Sequence, residues 1–360
     1  MKNNFCVIMA GGVGSRFWPF STDKRPKQFL DFFGTGRTLL QMTFDRFRRV
    51  VPVENIYIAS NLRYKDLILE QLPELGENQI LLEPARRNTA PCIAYAINKI
   101  KSVNENANIV VSPSDHLILR EDEFVSKINQ GFEFTAANKC LLTLGITTSR
   151  PETGYGYIQV GKKNEACDNL FKVKTFTEKP DPEIAKIFHD SDEFYWNSGM
   201  FLWNVNTITE AFDLYLPEMA EKFKLGKNVY NTPQEQNFVN GFYSSCTNIS
   251  IDYGILEKAQ NVYVLVADLG WSDLGTWGSL YELSKKDKQG NVALKCKSLI
   301  YESKNNIVVL PEGKLAVIQG VKDLIIAETD NVLLICKKDE EQRIRQFVND
   351  TKVQIGEEYV

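Results

Sequence analysis

The first half of the chain alternates short apolar runs with longer amphipathic stretches. Most of the runs are apolar on both faces, which is typical of strands buried within a mostly parallel sheet. The five runs occupy residues 5–10, 55–60, 79–82, 108–112 and 139–145. Each run is predicted to be a strand.

The stretches between these runs have the period of helices. Within residues 38–51, the apolar side chains Leu40, Phe44 and Phe47 fall on one helical face. The same period recurs in three further stretches, at residues 62–72, 89–103 and 122–138. Buried strands that alternate with helices predict an α/β fold with a doubly wound, Rossmann-like sheet and right-handed crossovers.

After residue 150 the pattern is less regular, and we expect a mixed sheet. Strands are predicted at residues 155–160, 171–177 and 262–266, and helices at residues 182–189, 233–241 and 251–258. Ser250 directly precedes the last of these helices and is its expected N-cap.

A polar, glycine-containing stretch at residues 285–291 is the predicted domain boundary. It divides a large α/β domain of residues 1–287 from a small domain of residues 288–360. In the small domain, apolar runs begin near residues 298, 307, 315, 324 and 332. Turn residues separate these runs, so we predict a small all-β unit, closed by a charged helix at residues 339–349.

Composition and charge exclude several classes of protein. The 360 residues include 42 Lys and Arg against 46 Asp and Glu, and this balance does not provide the basic face of a nucleic-acid-binding protein. No apolar run approaches the ~20 residues of a membrane span. The seven cysteines are scattered and never form a CxxC pair, which indicates free thiols and a cytoplasmic protein.

A glycine-rich turn follows the first predicted strand, at the edge of the sheet where α/β folds bind their ligands. Gly11, Gly12 and Gly14 allow backbone N–H groups to approach a phosphate or a base. Phe17 stands where a dinucleotide-binding loop has its third glycine, and the sequence has no Walker A motif. A tight turn without a ligand is the alternative interpretation.

Basic residues follow this turn within a dozen positions. They are Arg16, Lys24, Arg25 and Lys27. Because they adjoin the glycines, we expect several point charges to hold a triphosphate in place of a single P-loop lysine. The alternative is a solvated basic loop.

Two aspartates, Asp115 and Asp273, each come shortly after an apolar strand. Two carboxylates so placed could hold one Mg²⁺, which takes few protein ligands and completes its coordination with water and phosphate oxygens. Each aspartate considered alone is a common turn residue. The chain has two histidines and no Cys/His spacing, so a zinc site is not expected.

A third candidate group contains Glu178, Lys179 and Asn197. The first two residues end a predicted strand immediately before Pro180. Glu178 could accept hydrogen bonds from sugar hydroxyls while Lys179 contacts a phosphate. The alternative is an exposed ion pair at a turn, which would stabilise the fold little.

Taken together, the motifs resemble those of the sugar-1-phosphate nucleotidyltransferases, whose fold is GT-A-like. They occur in the family's order and narrow the resemblance to the mannose-1-phosphate guanylyltransferase branch. The motifs are GGxGxR at 11–16, RPKQF at 25–29, EPxxRNTAP at 83–91, PSDH at 113–116, FxEKP at 176–180, NSG at 197–199, SIDY at 250–253 and WSDLG at 271–275.

The resemblance implies that GTP and mannose 1-phosphate react to give GDP-mannose and diphosphate, with Mg²⁺ as the cofactor. The implied nucleotide-binding residues are Gly11, Gly12, Gly14, Glu83, Asn88 and Thr89. The implied catalytic residues are Arg16, Lys27, Asp115 and Asp273, of which the two aspartates hold the metal. The implied sugar-phosphate residues are Gly156, Glu178, Lys179 and Asn197. Residues 250–253 are interpreted as structural.

The resemblance also implies that residues 1–287 are the nucleotidyltransferase domain and that residues 288–360 form a left-handed β-helix that packs in a homodimer. Bifunctional relatives carry a further C-terminal isomerase domain with metal-binding histidines. Residues 290–360 are too few for such a domain, and no histidine follows His189. No isomerase activity is therefore expected.

Two alternatives stay open at this stage. The same chemistry could use another nucleoside triphosphate or another hexose 1-phosphate, or the fold could serve a non-catalytic nucleotide-sugar sensor. The chain keeps the charged residues that catalysis requires, which favours an enzyme over a sensor. They are Arg16, Lys27, Asp115, Lys179 and Asp273.

Overall fold

The computed structural model of the chain describes residues 2–165 and 167–360. These residues form two compact units, each assembled from separated segments of the chain. The first unit contains the described residues of Met1–Gly11, Thr43–Ser114 and Ile118–Trp271. The second unit contains Gly12–Met42, Asp115–Leu117 and Ser272–Val360.

The first unit is built around a nine-stranded mixed sheet. The strands up to residue 272 are β1 (Asn4–Met9), β2 (Ile56–Asn61), β3 (Ile80–Glu83), β4 (Asn108–Pro113), β5 (Leu117–Ile118), β6 (Leu141–Thr147), β7 (Gly156–Lys163), β8 (Leu170–Glu178), β9 (Phe194–Asn204), β10 (Val262–Ala267) and β11 (Trp271–Ser272). The order in the sheet is β3-β2-β1-β4-β9-β6-β10-β8-β7. Parallel pairing of β3, β2, β1 and β4 confirms the α/β fold that the alternation of strands and helices predicts.

Strand β9 lies between β4 and β6 and runs antiparallel to both. This antiparallel strand makes the sheet mixed, as expected from the pattern after residue 150. Sequence analysis missed this strand of 11 residues because the polar residues Asn197 and Ser198 interrupt its apolar pattern. Its register against β6 shifts between Thr143 and Gly145, at the same point along the strand.

Helices separate the strands along the chain. They are α1 (Leu39–Phe47), α2 (Lys65–Gln71), α3 (Thr89–Val103), α4 (Glu121–Ala137), α5 (Pro182–His189), α6 (Val205–Tyr215), α7 (Pro217–Lys224), α8 (Glu235–Phe242), α9 (Trp277–Leu283) and α10 (Ile344–Gln354). The predictions for α3 and α5 are confirmed to the residue. Both helices begin at side-chain caps, because Asn88 accepts a hydrogen bond from Thr89 N and Asp181 accepts one from Ile184 N.

The helix predicted at residues 251–258 is a different structure. The chain forms a π-helical turn at Asp252–Leu256, in which Ser250 Oγ accepts a hydrogen bond from Tyr253 N at 3.3 Å. Gly254 packs closely in this turn, since a Cβ atom there would lie 3.0 Å from Leu216 Cδ1. The cap at Ser250 is therefore present, but the turn that follows is wider than an α-helix.

The second unit contains short strands, most of which pair in parallel between successive coils of the chain. They are β12 (Val292–Leu294), β13 (Lys297–Tyr301), β14 (Ile307–Val309), β15 (Leu315–Gln319), β16 (Leu324–Glu328) and β17 (Leu333–Lys337). Val292 pairs in parallel with Ile307, 15 residues further along the chain, whereas Lys297 pairs with Leu315 and Ile307 with Ile325, each 18 residues further along. The small all-β unit predicted from the apolar runs is thus confirmed.

An asparagine ladder supports these coils. Asn306 Nδ2 donates to Asn291 Oδ1 at 2.9 Å in the preceding coil, and Asn306 Oδ1 accepts from Leu324 N at 3.0 Å in the following one. Residues 339–349, predicted as one helix, divide into a 3-10 segment at Lys338–Arg343 and the helix α10.

All seven cysteines are free thiols. Of the helices within residues 2–165 and 167–360, none combines the length and the apolar character that crossing a bilayer requires.

A buried polar network joins α3 to α8 inside the first unit. Lys99 Nζ lies 2.6 Å from Glu235 Oε2, and the Tyr95 hydroxyl donates to Glu235 Oε1 at 2.5 Å. Glu235 thus compensates an ammonium whose side chain is only 3% exposed.

We expect Glu235→Ala to lower the free energy of unfolding by about 3–5 kcal/mol, because the Lys99 charge would remain buried without a partner. Urea denaturation followed by tryptophan fluorescence measures the change. Glu282→Ala is the control, since its ion pair with Lys286 is exposed and should contribute less than about 1 kcal/mol. Equal losses in the two variants would contradict this expectation.

Candidate active site

The glycine-rich turn is held in place within the second unit by the basic segment that follows it. Lys27 N donates to Val13 O at 3.2 Å, and Gln28 Nε2 donates to Gly12 O at 2.9 Å. Gly14 has a φ of 71°, and a Cβ atom there would lie 2.5 Å from Lys27 Cβ. Only glycine fits this position, so the close approach fixes the shape of the loop.

The Lys27 ammonium is buried and has three partners in the same unit. Its Nζ lies 2.8 Å from Asp115 Oδ2, 2.7 Å from the carbonyl oxygen of Asp273 and 2.9 Å from that of Leu274. These partners use all three hydrogens of the ammonium. A phosphate that contacted Lys27 would therefore replace one of them.

The two candidate metal-binding aspartates meet at this ammonium. Burial alone would raise the pKa of the Asp115 carboxyl, but the charges of Lys27 and His116 outweigh burial, so the pKa lies below its usual value. Asp273 Oδ1 accepts a hydrogen bond from Gly275 N at 2.8 Å, which fixes its carboxylate in the turn after β11. The site thus holds an ionised Asp115 close to the backbone of Asp273.

A second arginine, which sequence analysis missed, lies near Arg16. Helix α10 packs against the Ser15–Phe17 turn, and Trp18 Nε1 donates to Tyr359 O at 2.7 Å. Burial, and then repulsion from Arg16, lowers the pKa of Arg345 on that helix. Neither arginine has an acidic partner in the described part of the chain. They are separated by 328 residues, and nothing in the sequence indicates that they are neighbours.

In the first unit, Glu178 ends strand β8 opposite Gly156, and Lys179 follows directly after the strand. A Cβ atom on Gly156 would lie 2.4 Å from Glu178 Oε2, so glycine leaves room for this carboxylate. Lys179 Nζ lies 2.8 Å from Glu178 Oε1, yet the lysine side chain remains 62% exposed. Lys179 also has a φ of 47°, which turns the chain away from the strand.

Asn197 joins this group, with its side-chain amide fixed by hydrogen bonds. Its Oδ1 accepts from Gly199 N at 3.1 Å and from Thr143 Oγ1 at 3.3 Å. Its Nδ2 donates to Asp252 Oδ1 at 2.8 Å. The direction of the amide is therefore set by the protein itself.

Asp252, interpreted from the sequence as structural, belongs to this group. Burial raises the pKa of its carboxyl, the hydrogen bond from Asn197 opposes that rise, and the nearby charge of Glu178 adds to it, so the net pKa is raised. The motif at residues 250–253 was visible in the sequence. Its place beside Asn197 depends on the π-helical turn, which periodicity does not reveal.

Glu83 lies at the buried end of β3. Its carboxylate accepts hydrogen bonds from the Tyr243 hydroxyl and from the Cys92 thiol. Burial raises the pKa of Glu83 to about 7, although both hydrogen bonds oppose the rise. A Cβ atom on Gly11 would lie 3.4 Å from Glu83 Oε2, which places the carboxylate beside the first glycine of the loop.

The other two nucleotide candidates begin helix α3. Asn88 has a φ of 67° and accepts a hydrogen bond from Thr89 N at 2.9 Å. Thr89 Oγ1 accepts one from Ile251 N at 2.9 Å, which connects this end of α3 to the segment containing Asp252.

The candidate residues thus form separate groups. Within the second unit the structure brings together Gly12, Gly14, Lys27, Asp115 and Asp273, and it places Arg16 beside Arg345. Within the first unit it brings together Gly156, Glu178, Lys179, Asn197 and Asp252, and it pairs Gly11 with Glu83 and Asn88 with Thr89. In the described ranges, no three His, Cys, Asp or Glu side chains converge as they would around a metal held by protein ligands alone.

Two family models match the chain. The nucleotidyl transferase model matches residues 5–290, and the model of the MannoseP isomerase/GMP-like beta-helix domain matches residues 298–350.

Similar proteins cover most of the chain. A mannose-1-phosphate guanylyltransferase from Escherichia coli is 37% identical over 351 residues, which are 95% of this chain and 74% of that protein. One from Salmonella montevideo is 36% identical over 98% of this chain and 75% of its own length. The crystal structure of a mannose-1-phosphate geranyltransferase from Thermus thermophilus matches with a TM-score of 0.85 and 27% identity, covering 96% of this chain and 98% of that one.

We expect Lys27→Met to raise the pKa of the Asp115 carboxyl, because burial would then act without the compensating ammonium. Carbon-13 NMR of labelled aspartate across a pH titration measures this change. Lys24→Met alters an exposed lysine of the same basic segment and should leave the titration of Asp115 unchanged. An Asp115 that titrates alike in both variants would contradict the electrostatic role of Lys27.

Proposed function

The chain belongs to the nucleotidyl transferase family, and from this premise we propose that it is a mannose-1-phosphate guanylyltransferase. It would convert GTP and α-D-mannose 1-phosphate into GDP-mannose and diphosphate. Relatives with that name are 33–37% identical to the chain over nearly its whole length, which supports this choice of nucleotide and sugar.

The observation that carries the proposal is the arrangement around Lys27. The buried ammonium of Lys27 contacts Asp115 and the backbone of the Asp273 turn, and the backbone N–H of the same residue donates to the glycine loop at Val13 O. The backbone of the glycine loop, the Lys27 cation and the aspartates Asp115 and Asp273 thus belong to one unit, although they come from distant parts of the chain. This combination suits the transfer of a phosphorylated group.

In the proposed reaction an oxygen of the sugar phosphate attacks the α-phosphorus of GTP. A new P–O bond forms, the bond between the α-phosphorus and the bridging oxygen breaks, and diphosphate leaves on the opposite side. The attacking oxygen is already ionised, so no side chain has to remove a proton. The protein contributes by holding the reactants in line and by stabilising negative charge.

We assign the triphosphate to the glycine loop and the nearby cations. Backbone N–H groups at Gly12 and Gly14 would contact phosphate oxygens, and Arg16 would stabilise the departing diphosphate. Lys27 would act together with them by keeping Asp115 ionised and in position. Arg345 adds a second guanidinium beside Arg16 and would strengthen the attraction for the leaving group.

Asp115 and Asp273 are the residues that would hold Mg²⁺. The donor set fits this ion, because Asp115 has a lowered pKa and the remaining coordination sites suit water and phosphate oxygens. When bound, Mg²⁺ would neutralise charge on the phosphates. The two carboxylates would orient it, while the buried Lys27 would limit the net negative charge of the pair.

The group around Gly156 would hold the sugar phosphate. Lys179 has an exposed ammonium that can reach a phosphate, and its Glu178 partner has a carboxylate that can accept sugar hydroxyls. Asn197, fixed by Asp252, would present its amide in one orientation. We assign the base and ribose to Gly11, Glu83, Asn88 and Thr89.

We retain the proposed division at residues 287 and 288 and propose a homodimer formed through the β-helix. The paired strands β13 and β15 expose four large apolar side chains, from 48% to 63% of each, which is typical of an interface. They are Leu299, Tyr301, Leu315 and Val317. Free thiols throughout the chain are compatible with the cytoplasmic location we propose.

Diphosphate release tests the proposal directly. Each of four nucleoside triphosphates is combined with mannose 1-phosphate or glucose 1-phosphate, in Mg²⁺ or in EDTA. Release confined to GTP with mannose 1-phosphate, and lost in EDTA, is the expected result. Release with another pair would change the proposed substrates, and no release with any pair would favour a non-catalytic protein.

Asp273→Asn should abolish release, whereas Asp268→Asn, an exposed control, should not.

We expect Lys179→Ala to raise the KM for mannose 1-phosphate about tenfold, the equivalent of one charge-assisted hydrogen bond, with a smaller change for GTP. Lys179→Gly should do the same, since glycine accepts the positive φ and preserves the turn. Lys174→Ala, an exposed lysine on the same strand, is the control. A rise in the KM for GTP instead would place Lys179 with the nucleotide.

A further inference from the structure

A pocket in the first unit lies at the end of α3 opposite to Asn88 and Thr89. Its volume is about 440 Å³, within the range of small-molecule sites. The C-terminal part of α3, helix α6, and the end of α7 with the chain that follows it line the pocket. The lining residues are Asn98, Lys101, Ser102, Glu105, Thr209, Lys224, Lys227, Asn228 and Tyr230. Since a helix rises 1.5 Å per residue, Lys101 lies roughly 18 Å along α3 from Thr89.

Cations outnumber anions in this pocket. Three lysines line it, against the single carboxylate of Glu105. Lys224 Nζ has a partner just outside the lining, at 2.5 Å from Asp213 Oδ1. Lys227 has no acidic partner within residues 2–165 and 167–360. Lys101 and Lys227 thus have no carboxylate at ion-pair distance among the described residues, whereas Lys224 is paired.

The charged form of the half-buried Lys101 is destabilised in this pocket. Its Nζ lies 3.4 Å from Thr209 Oγ1, a neutral group. Burial, and then repulsion from Lys224, lowers the pKa of Lys101, although Asp213, Glu105 and Glu210 oppose the shift. An anion placed among the lysines would remove this repulsion.

The side-chain amides of Asn98 and Asn228 in the lining can also donate to phosphate oxygens. Asn98 uses one of its two amide hydrogens on Ala94 O, at 2.8 Å. The hydroxyls of Ser102 and Tyr230 already donate to Lys99 O and Phe223 O, at 2.7 and 2.6 Å, so they supply no further proton. The pocket is too large for a single phosphate, which leaves space for a second one or for an attached organic group.

We propose that this pocket binds a small anion carrying a diphosphate group, held by Lys101, Lys224 and Lys227, at a site separate from the candidate active site. The pocket would do so whichever reaction the chain catalyses. Free diphosphate and a nucleoside diphosphate share the recognised group. They differ in whether an attached base and sugar contact Tyr230.

Hydrogen exchange measured by mass spectrometry tests the proposal on the full chain, because its readout is local. We expect inorganic diphosphate to protect backbone amides at residues 98–105 and 224–230, whatever it also does at the glycine loop. A parallel titration with GDP separates the two sources of the group, since tighter binding of GDP would show that base or ribose contributes. Protection by neither ligand would overturn the proposal.

The double variant Lys101→Gln/Lys227→Gln should weaken diphosphate protection of these two segments at least tenfold, since each ammonium supplies about one charge-assisted hydrogen bond. Lys314→Gln, which changes an exposed lysine of the second unit, should leave protection unchanged. Circular dichroism verifies that each variant is folded. Undiminished protection in a folded double variant would overturn the assignment to these lysines.

Discussion

The buried ammonium of Lys27 is the interaction on which the candidate phosphate side depends. A buried charge is stable only when it is paired and hydrogen-bonded, and this one is satisfied by Asp115 and by two carbonyl groups of the Asp273 turn. The same residue fixes the glycine loop, through its backbone N–H and through the space that Gly14 leaves for it. The positions of the glycine loop, the Lys27 ammonium, Asp115 and the Asp273 turn therefore depend on one another.

The candidate sugar-phosphate residues of the first unit are likewise held in place by one another. The carboxylates of Asp252 and Glu178 lie near each other. The Asn197 amide donates a hydrogen bond to Asp252, and the Lys179 ammonium forms an ion pair with Glu178. Gly156 makes this crowding possible because it has no side chain. The hydrogen bonds on both ends of the Asn197 amide fix its orientation before any ligand arrives, which reduces the ordering that binding would require.

Much of this architecture could be predicted from the sequence, because periodicity reports local structure. Helices α3 and α5 begin at side-chain caps that stand next to them in the chain, and the short strands of the β-helix are bounded by turn residues. Strand β9 was not predicted because the polar residues Asn197 and Ser198 interrupt its apolar pattern.

Residues that are close in the fold but distant in the sequence could not be predicted, for a different reason. The pairing of Arg16 with Arg345 and of Asn197 with Asp252 is created by folding between distant segments, and single-sequence patterns carry no distance information. The motifs indicated which residues have suitable chemistry, while the packing of α10 and the π-helical turn decide which of them meet.

The segmented second unit has a consequence for the order of events during synthesis. Residues 12–42 leave the ribosome early, whereas residues 272–360, with which they share a core, follow about 230 residues later. At translation rates of ~5–20 residues per second, the glycine loop spends roughly 10–50 s without its native neighbours. Asp273 and Leu274, whose carbonyl groups hold the Lys27 ammonium, are among those later residues, so a nascent chain that has not reached them cannot assemble the candidate phosphate site.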